Sequence, residues 1–192
     1  MKLVLLLTSA MIAAACTTKP VPPGGPLTTA SPPADPQQAA AFISTLRAKH
    51  LQLPIQNADV EALKGSFYQG RGTGFMHRAV DIMTSKGTPI SAVEDGTILR
   101  LFVSKNGGNT IYELDPSGTF VYYYAHLDSY APGLANGQQV RKGQVIGFVG
   151  ATGDADAKAP HLHFQIWAPT TKSFWDGLTI DPYEVFTTGV KK

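Results

Sequence analysis

The chain has 192 residues, 43% of them hydrophobic and 16% charged, which suits one folded domain with a single core plus additional segments. Its 16 basic and 14 acidic residues are interspersed and give a formal charge of +2, so the basic footprint of a nucleic-acid binder is missing and that class of partner is set aside. The single cysteine excludes an internal disulfide and a cysteine-rich metal site, and the five histidines, at positions 50, 77, 126, 161 and 163, bound any imidazole-based site.

Residues 1–15 read as a secretory signal: a positive start at Lys2, an apolar run from Leu3 continuing through Met11 and Ile12, then Ala13-Ala14-Ala15. The run is too short to span a bilayer. The segment resembles a bacterial lipoprotein signal, which implies cleavage before Cys16 and lipidation of Cys16. In a Gram-negative host, Thr17 in place of an aspartate resembles the class sorted to the outer membrane, facing the periplasm. Residues 16–36 are rich in Pro, Thr, Ser and Gly and read as a tether that cannot bury enough apolar surface to fold. Extended at about 3.1 Å per residue, it reaches roughly 60 Å.

Residues 37–65 form a helical lead-in. Asp35 is a favoured N-cap and Pro36 suits the first helical position, and the stretch from Ala39 to Leu51 carries neither Gly nor Pro. Phe42, Leu46 and His50 share one face at four-residue spacing, which makes His50 a packing or surface residue rather than a ligand.

From Ser66, turn residues punctuate short β-prone runs: Ala79 to Met83, Ile90 to Val93, Gly96 to Val103, Asn109 to Asp115, Thr119 to His126, Val145 to Val149 and His161 to Trp167. The expected fold is mainly β, an antiparallel sheet domain over residues 66–186 preceded by a short helix, with 187–192 as a tail. Asp115-Pro116-Ser117-Gly118 is the clearest hairpin turn. Along Thr119 to His126, strand alternation places Tyr122, Tyr124 and His126 on one face.

In Ala159-Pro160-His161-Leu162-His163-Phe164-Gln165-Ile166-Trp167, the same alternation puts His161 and His163 together, backed by Leu162, Phe164 and Ile166. His77 and Asp81, four apart, keep one face on a strand or a helix. Alone, such a pair is an ordinary surface ion pair. With His163 it gives two imidazoles and a carboxylate, the pattern of a catalytic zinc site with an open fourth position. No His-Glu-x-x-His motif supplies a glutamate base, which leaves His126 and His161 for proton transfer. Gly70-x-Gly72-x-Gly74 lacks the lysine and serine of a phosphate loop. Asp154 and Asp156 read as part of a solvated turn.

From about Gly65 to Trp167 the chain resembles the lysostaphin/LytM-type zinc metallopeptidases that cut peptide bonds in bacterial peptidoglycan. The motifs carrying the resemblance are His77-x-x-x-Asp81-Ile82, Gly87-Thr88-Pro89-Ile90-x-Ala92, Asp95-Gly96, Tyr124-Ala125-His126-Leu127, Gly137-x-x-Val140-x-x-Gly143-Gln144-x-Ile146-Gly147, Gly150-x-Thr152-Gly153 and His161-Leu162-His163-Phe164. The resemblance implies one Zn2+ held by His77, Asp81 and His163, catalytic roles for His126 and His161, and peptidoglycan as the partner. Ala79 replaces the glycine usual between the first ligand pair, and Gln165 replaces a frequent glutamate. The alternative role is a non-catalytic wall-binding or amidase-activating lipoprotein, whose relatives typically lack one or more ligands.

Overall fold

The computed structural model describes residues 35–71, 75–169 and 177–187. The signal, Cys16 and nearly all of the tether lie outside the described residues. Helix α1 (Pro36–Ala48) begins as the sequence predicts, with Asp35 accepting hydrogen bonds from the amides of Gln37 and Gln38 and Pro36 opening the first turn. It stops three residues before Leu51. The amides of Lys49 and His50 turn back onto Leu46 O and Arg47 O, and His50 takes a left-handed φ of 52°, as in a helix C-terminal cap. Two 3₁₀ turns, Glu61–Leu63 and Ser66–Tyr68, lead into the sheet.

The strands are β1 (Gly70–Arg71), β2 (Phe75–Met76), β3 (Val80–Met83), β4 (Pro89–Ser91), β5 (Gly96–Ser104), β6 (Gly108–Leu114), β7 (Val121–Tyr130), β8 (Gln139–Val140), β9 (Val145–Val149), β10 (His161–Ala168) and β11 (Leu178–Ile180), followed by the short helix α2 (Pro182–Phe186). β1 and β2 make a separate ribbon. The other nine strands form one sheet with order β11-β10-β7-β6-β5-β8, in which β3 pairs with β10 and β9 pairs with β4 and β7, every pairing antiparallel. The mainly β, antiparallel class with a preceding helix is therefore the observed one. All seven expected strands are present. β1, β2, β8 and β11 are two or three residues each, too short to leave an alternation in the sequence.

β7 and β10 position everything else. On one edge β7 pairs with β6; on the other it meets β10 through Val121–Ala125 and then β9 through Leu127–Tyr130, changing partner at His126. β10 carries β3 and β11 end to end along its far edge. One face of these strands buries Leu162, Phe164, Ile166, Tyr122, Tyr124, Val80 and Ile82 against Leu46 of α1. The opposite face holds a smaller cluster of Tyr112, Val121, Tyr123, Ala125 and Trp167.

The main core contains an acid. Glu113 is fully buried, accepts a hydrogen bond from Tyr124 Oη at 2.6 Å, and leaves Oε1 without a partner. Burial pushes its pKa up to about 8 from an ordinary 4.5. An acid raised on folding costs nothing below its unfolded pKa, and the cost grows as pH rises from 4.5 to 8, because the unfolded chain ionises while the folded one does not. Glu113→Gln keeps the acceptor for Tyr124 and removes that pH-dependent cost. Its stability advantage over the wild type should grow between pH 5 and pH 8, by at most about 1.4 kcal/mol per pH unit. Urea denaturation at several pH values checks this; parallel profiles for the two proteins would contradict it.

Candidate active site

Asp81 of β3 stands opposite His163 of β10 in the ladder, so the two side chains emerge side by side on one face. Asp81 Oδ1 lies 3.1 Å from His163 Nδ1 and 2.9 Å from His77 Nε2, and the two imidazole nitrogens are 3.1 Å apart. His77 is on no strand. It follows the β1–β2 ribbon, whose pairing continues through His77 N to Gln69 O and Arg78 N to Phe67 O, at 2.8 and 3.0 Å. Arg78 turns the chain into β3 with a left-handed φ of 56°, and Gln165 Nε2 of β10 donates to its carbonyl at 3.0 Å. The left-handed residue is thus Arg78 and not Ala79, so the methyl on Ala79 meets no backbone restriction; it is fully buried. His77 Nδ1 faces Ser66 O at 3.1 Å, and a carbonyl can only accept, so Nδ1 carries the proton and Nε2 faces the cluster with its lone pair.

The set suits a zinc ion. A tetrahedral ion with bonds of about 2.0–2.1 Å spaces its ligand atoms roughly 3.3 Å apart, close to the observed triangle, and two imidazoles with one carboxylate are borderline donors. Burial opposes the charge on Asp81, but the neighbouring His163 and His77 imidazoles overcome it and hold the carboxyl well below its usual range. Burial pushes the His163 imidazole down to about 4. An ionised carboxylate beside a neutral imidazole is the protonation state that metal ligation requires. The second carboxylate oxygen, Oδ2, accepts from the guanidinium of Arg71.

His126 and His161 sit beside the triangle, with ring centroids 4.9 Å apart. His161 Nδ1 donates to Ala159 O at 2.9 Å and His126 Nδ1 to Thr152 O at 2.8 Å, which leaves Nε2 of each neutral ring as a lone pair. His161 Nε2 is 3.8 Å from Asp81 Oδ1. Burial lowers the pKa of His126, and neighbouring His161 adds to the effect. Strand alternation predicts one face for Tyr122, Tyr124 and His126, but His126 does not share it. Those two tyrosines enter the main core, whereas His126, at a left-handed φ of 63° where β7 changes partner, lines the same cavity as Tyr123 and Ala125. The break in the ladder re-aims its side chain.

The support beneath His126 is tightly fitted. Thr152 Oγ1 donates to Leu127 O at 2.7 Å and accepts from Asn109 N at 3.0 Å. Gly153 has φ 79°, and a Cβ there would fall on Asn106 O and Gly108 N, so the 106–108 turn and the 152–153 turn interlock only because that side chain is missing. A cavity of about 330 Å³, lined by Arg71, Lys105, Tyr123, His126, His163 and Gln165 among others, opens on one side of the triangle. Asp81 also borders a second cavity of about 260 Å³ between β3 and residues 55–63.

Of the residues weighed from the sequence, His77, Asp81 and His163 form the one His/Cys/Asp/Glu group among the described residues close enough to share an ion. His126 and His161 flank it. Asp154 and Asp156 stay in their turn, with Asp156 Oδ1 accepting from Lys158 N. His50 lies in the turn after α1. Arg71, Thr152 and Gln165 act through partners distant in sequence, and Tyr123 joins them only as cavity lining, so no local motif marks these four as site residues.

Residues 75–182 match the profile of Peptidase family M23. Among curated proteins, the chain is 36% identical over 110 residues to the glycyl-glycine endopeptidase ALE-1 of Staphylococcus capitis, covering 57% of this chain and 28% of that protein. It is 32% identical over 120 residues to the L-Ala--D-Glu endopeptidase of Bacillus subtilis, covering 60% of this chain and 36% of the relative. The chain thus spans about a third of those relatives or less. The catalytic domain of lysostaphin from Staphylococcus simulans superimposes with a TM-score of 0.51 at 33% identity, over 66% of this chain and 96% of that domain. Csd3 of Helicobacter pylori superimposes with a TM-score of 0.56 at 26% identity, over 72% of this chain and 35% of that one. With the family profile covering more than half of its length and these folds superimposing on its sheet, the chain belongs to Peptidase family M23.

Proposed function

We propose that this chain is a zinc-dependent endopeptidase that hydrolyses peptide cross-links or stem peptides of bacterial peptidoglycan. The observation that carries the reading is the near-equilateral triangle of His77 Nε2, Asp81 Oδ1 and His163 Nδ1, with edges of 2.9 to 3.1 Å, set beside two further histidines with free Nε2 atoms. Relatives named as peptidoglycan-active endopeptidases, such as the DD-endopeptidase ShyC of Vibrio cholerae at 35% identity over 89 residues, support the substrate class. When bound, zinc supplies Lewis acidity to water and to the scissile carbonyl.

The protein's own groups divide the remaining work. His161, its Nδ1 proton fixed on Ala159 O, accepts a proton from the attacking water at Nε2 and returns it to the leaving amine. His126 is held in the same tautomer by Thr152 O, so its neutral ring offers no proton at Nε2. It stabilises the developing oxyanion only in its protonated form, with the second proton taken up from solvent before the attack, so that the water proton held by His161 remains for the leaving amine. The cavity lined by His77, His126 and His163 and the second one bordered by Asp81 suit an extended chain that continues past the cleaved bond. We also infer that Cys16 is lipidated and that residues 16–36 tether the domain to a membrane, in a Gram-negative host the outer membrane from its periplasmic side, within reach of the wall.

Three outcomes are expected. Purified protein carries one zinc and releases lower-mass muropeptides from sacculi, and His163→Ala loses both the metal and the hydrolysis. Sacculus binding that a chelator leaves unchanged, with no products, favours the non-catalytic role instead, and loss of terminal D-alanine alone indicates a carboxypeptidase. His161→Ala and His126→Ala each lower kcat about 10²- to 10⁴-fold while retaining zinc, measured by product mass and metal content; full activity in either removes its assigned role. Metabolic labelling with a fatty-acid analogue marks the wild type and not Cys16→Ser, and equal labelling of both excludes lipidation at that residue.

A further inference from the structure

Arg71 lies on β1, directly across the ribbon from Phe75 and two residues after Gln69, whose carbonyl accepts from His77 N. A single ribbon therefore delivers one member of the triangle, His77, from just past the end of its second strand and a guanidinium from its first. That guanidinium contacts Asp81 Oδ2, whereas both imidazoles meet Oδ1. The two oxygens of one carboxylate are thereby assigned to different partners. A free carboxylate rotates and can offer either oxygen or both; a guanidinium on Oδ2 holds the plane and leaves Oδ1 as the single atom presented to the triangle.

We propose that Arg71 is a positioning residue of the metal centre, which fixes Asp81 as a one-oxygen ligand. The inference rests on the reading of His77, Asp81 and His163 as zinc ligands. A guanidinium near a dication also repels it, but the Arg71 side chain is 51% exposed and water screens that repulsion. Orientation of the ligand is then the larger effect. The same exposure means that the side chain contributes little to the fold.

The test uses the full chain, stripped of metal and titrated with zinc against a chromophoric chelator, as wild type, Arg71→Ala, Arg71→Lys and His163→Ala. The expected result is one zinc per wild-type chain, affinity about 10- to 100-fold weaker in Arg71→Ala, an intermediate value in Arg71→Lys, and equal melting temperatures for the metal-free wild type and both Arg71 variants. Cobalt(II) in place of zinc gives the second readout. Arg71→Ala should absorb more weakly in the visible than the wild type, because the freed Oδ2 enters the coordination sphere and raises the coordination number. Wild-type affinity and spectrum in Arg71→Ala, or tighter binding, overturn the role of Arg71 while leaving the ligand set standing. A wild type that binds no zinc, indistinguishable from His163→Ala, overturns the ligand reading and this inference with it.

Discussion

Asp81 Oδ1 is shared by two imidazoles at 2.9 and 3.1 Å, and much of this structure serves to keep that one oxygen in place. Three polar side chains gathered at the face of a sheet lose rotamer freedom and some hydration, and they remain gathered only if the backbone beneath them is fixed. The apolar side of the same strands does this. Leu162 and Phe164 alternate with His161 and His163 on β10 and are fully buried, and Val80 and Ile82 flank Asp81 on β3. A one-residue slip between β10 and β3 would exchange the two faces, so burial of those side chains sets the register that brings Asp81 and His163 opposite each other.

The second constraint is conformational strain used to aim side chains. Arg78 and His126 both hold positive φ without being glycine, and each adjoins or forms part of the site. Each is held by contacts from elsewhere in the sheet: Gln165 on the Arg78 carbonyl, and Thr152 O on the His126 ring with Gly107 O on its amide. β7 changes partner at His126, and without that break its imidazole would point into the core with Tyr122 and Tyr124. Gln165 also acquires a physical role, because an amide donates to the Arg78 carbonyl and an ionised carboxylate there cannot.

Polar groups beneath the sheet have a different character. Glu113 is buried next to Tyr124, and Lys49, just past α1, bridges Glu94 and Asp115 at 2.9 Å each. Asp115 in turn accepts from Ser117, Thr119 and Phe120 in the β6–β7 hairpin. These contacts tie α1 to the turn that sets the β6–β7 register, on the face away from the triangle. The same strands thus carry structural acids on one side and the histidine–aspartate cluster on the other.

Much of this was legible in the sequence. Turn residues and alternation located the seven longer strands, Asp35 and Pro36 located the start of α1, and two histidines at a spacing of two on β10 declared a shared polar face, because these are local consequences of backbone geometry. The residue types at 77, 81, 126, 161 and 163 limited the chemistry to imidazole and carboxylate. Tertiary structure decided what local periodicity cannot encode. His77 reaches the cluster from a turn rather than along a strand with Asp81, His126 faces opposite to its alternation because β7 exchanges β10 for β9 there, and Arg71 meets Asp81 only through the ribbon. Those placements depend on which strands become neighbours, and that is settled by burial of the whole apolar face, which no single stretch of the chain contains.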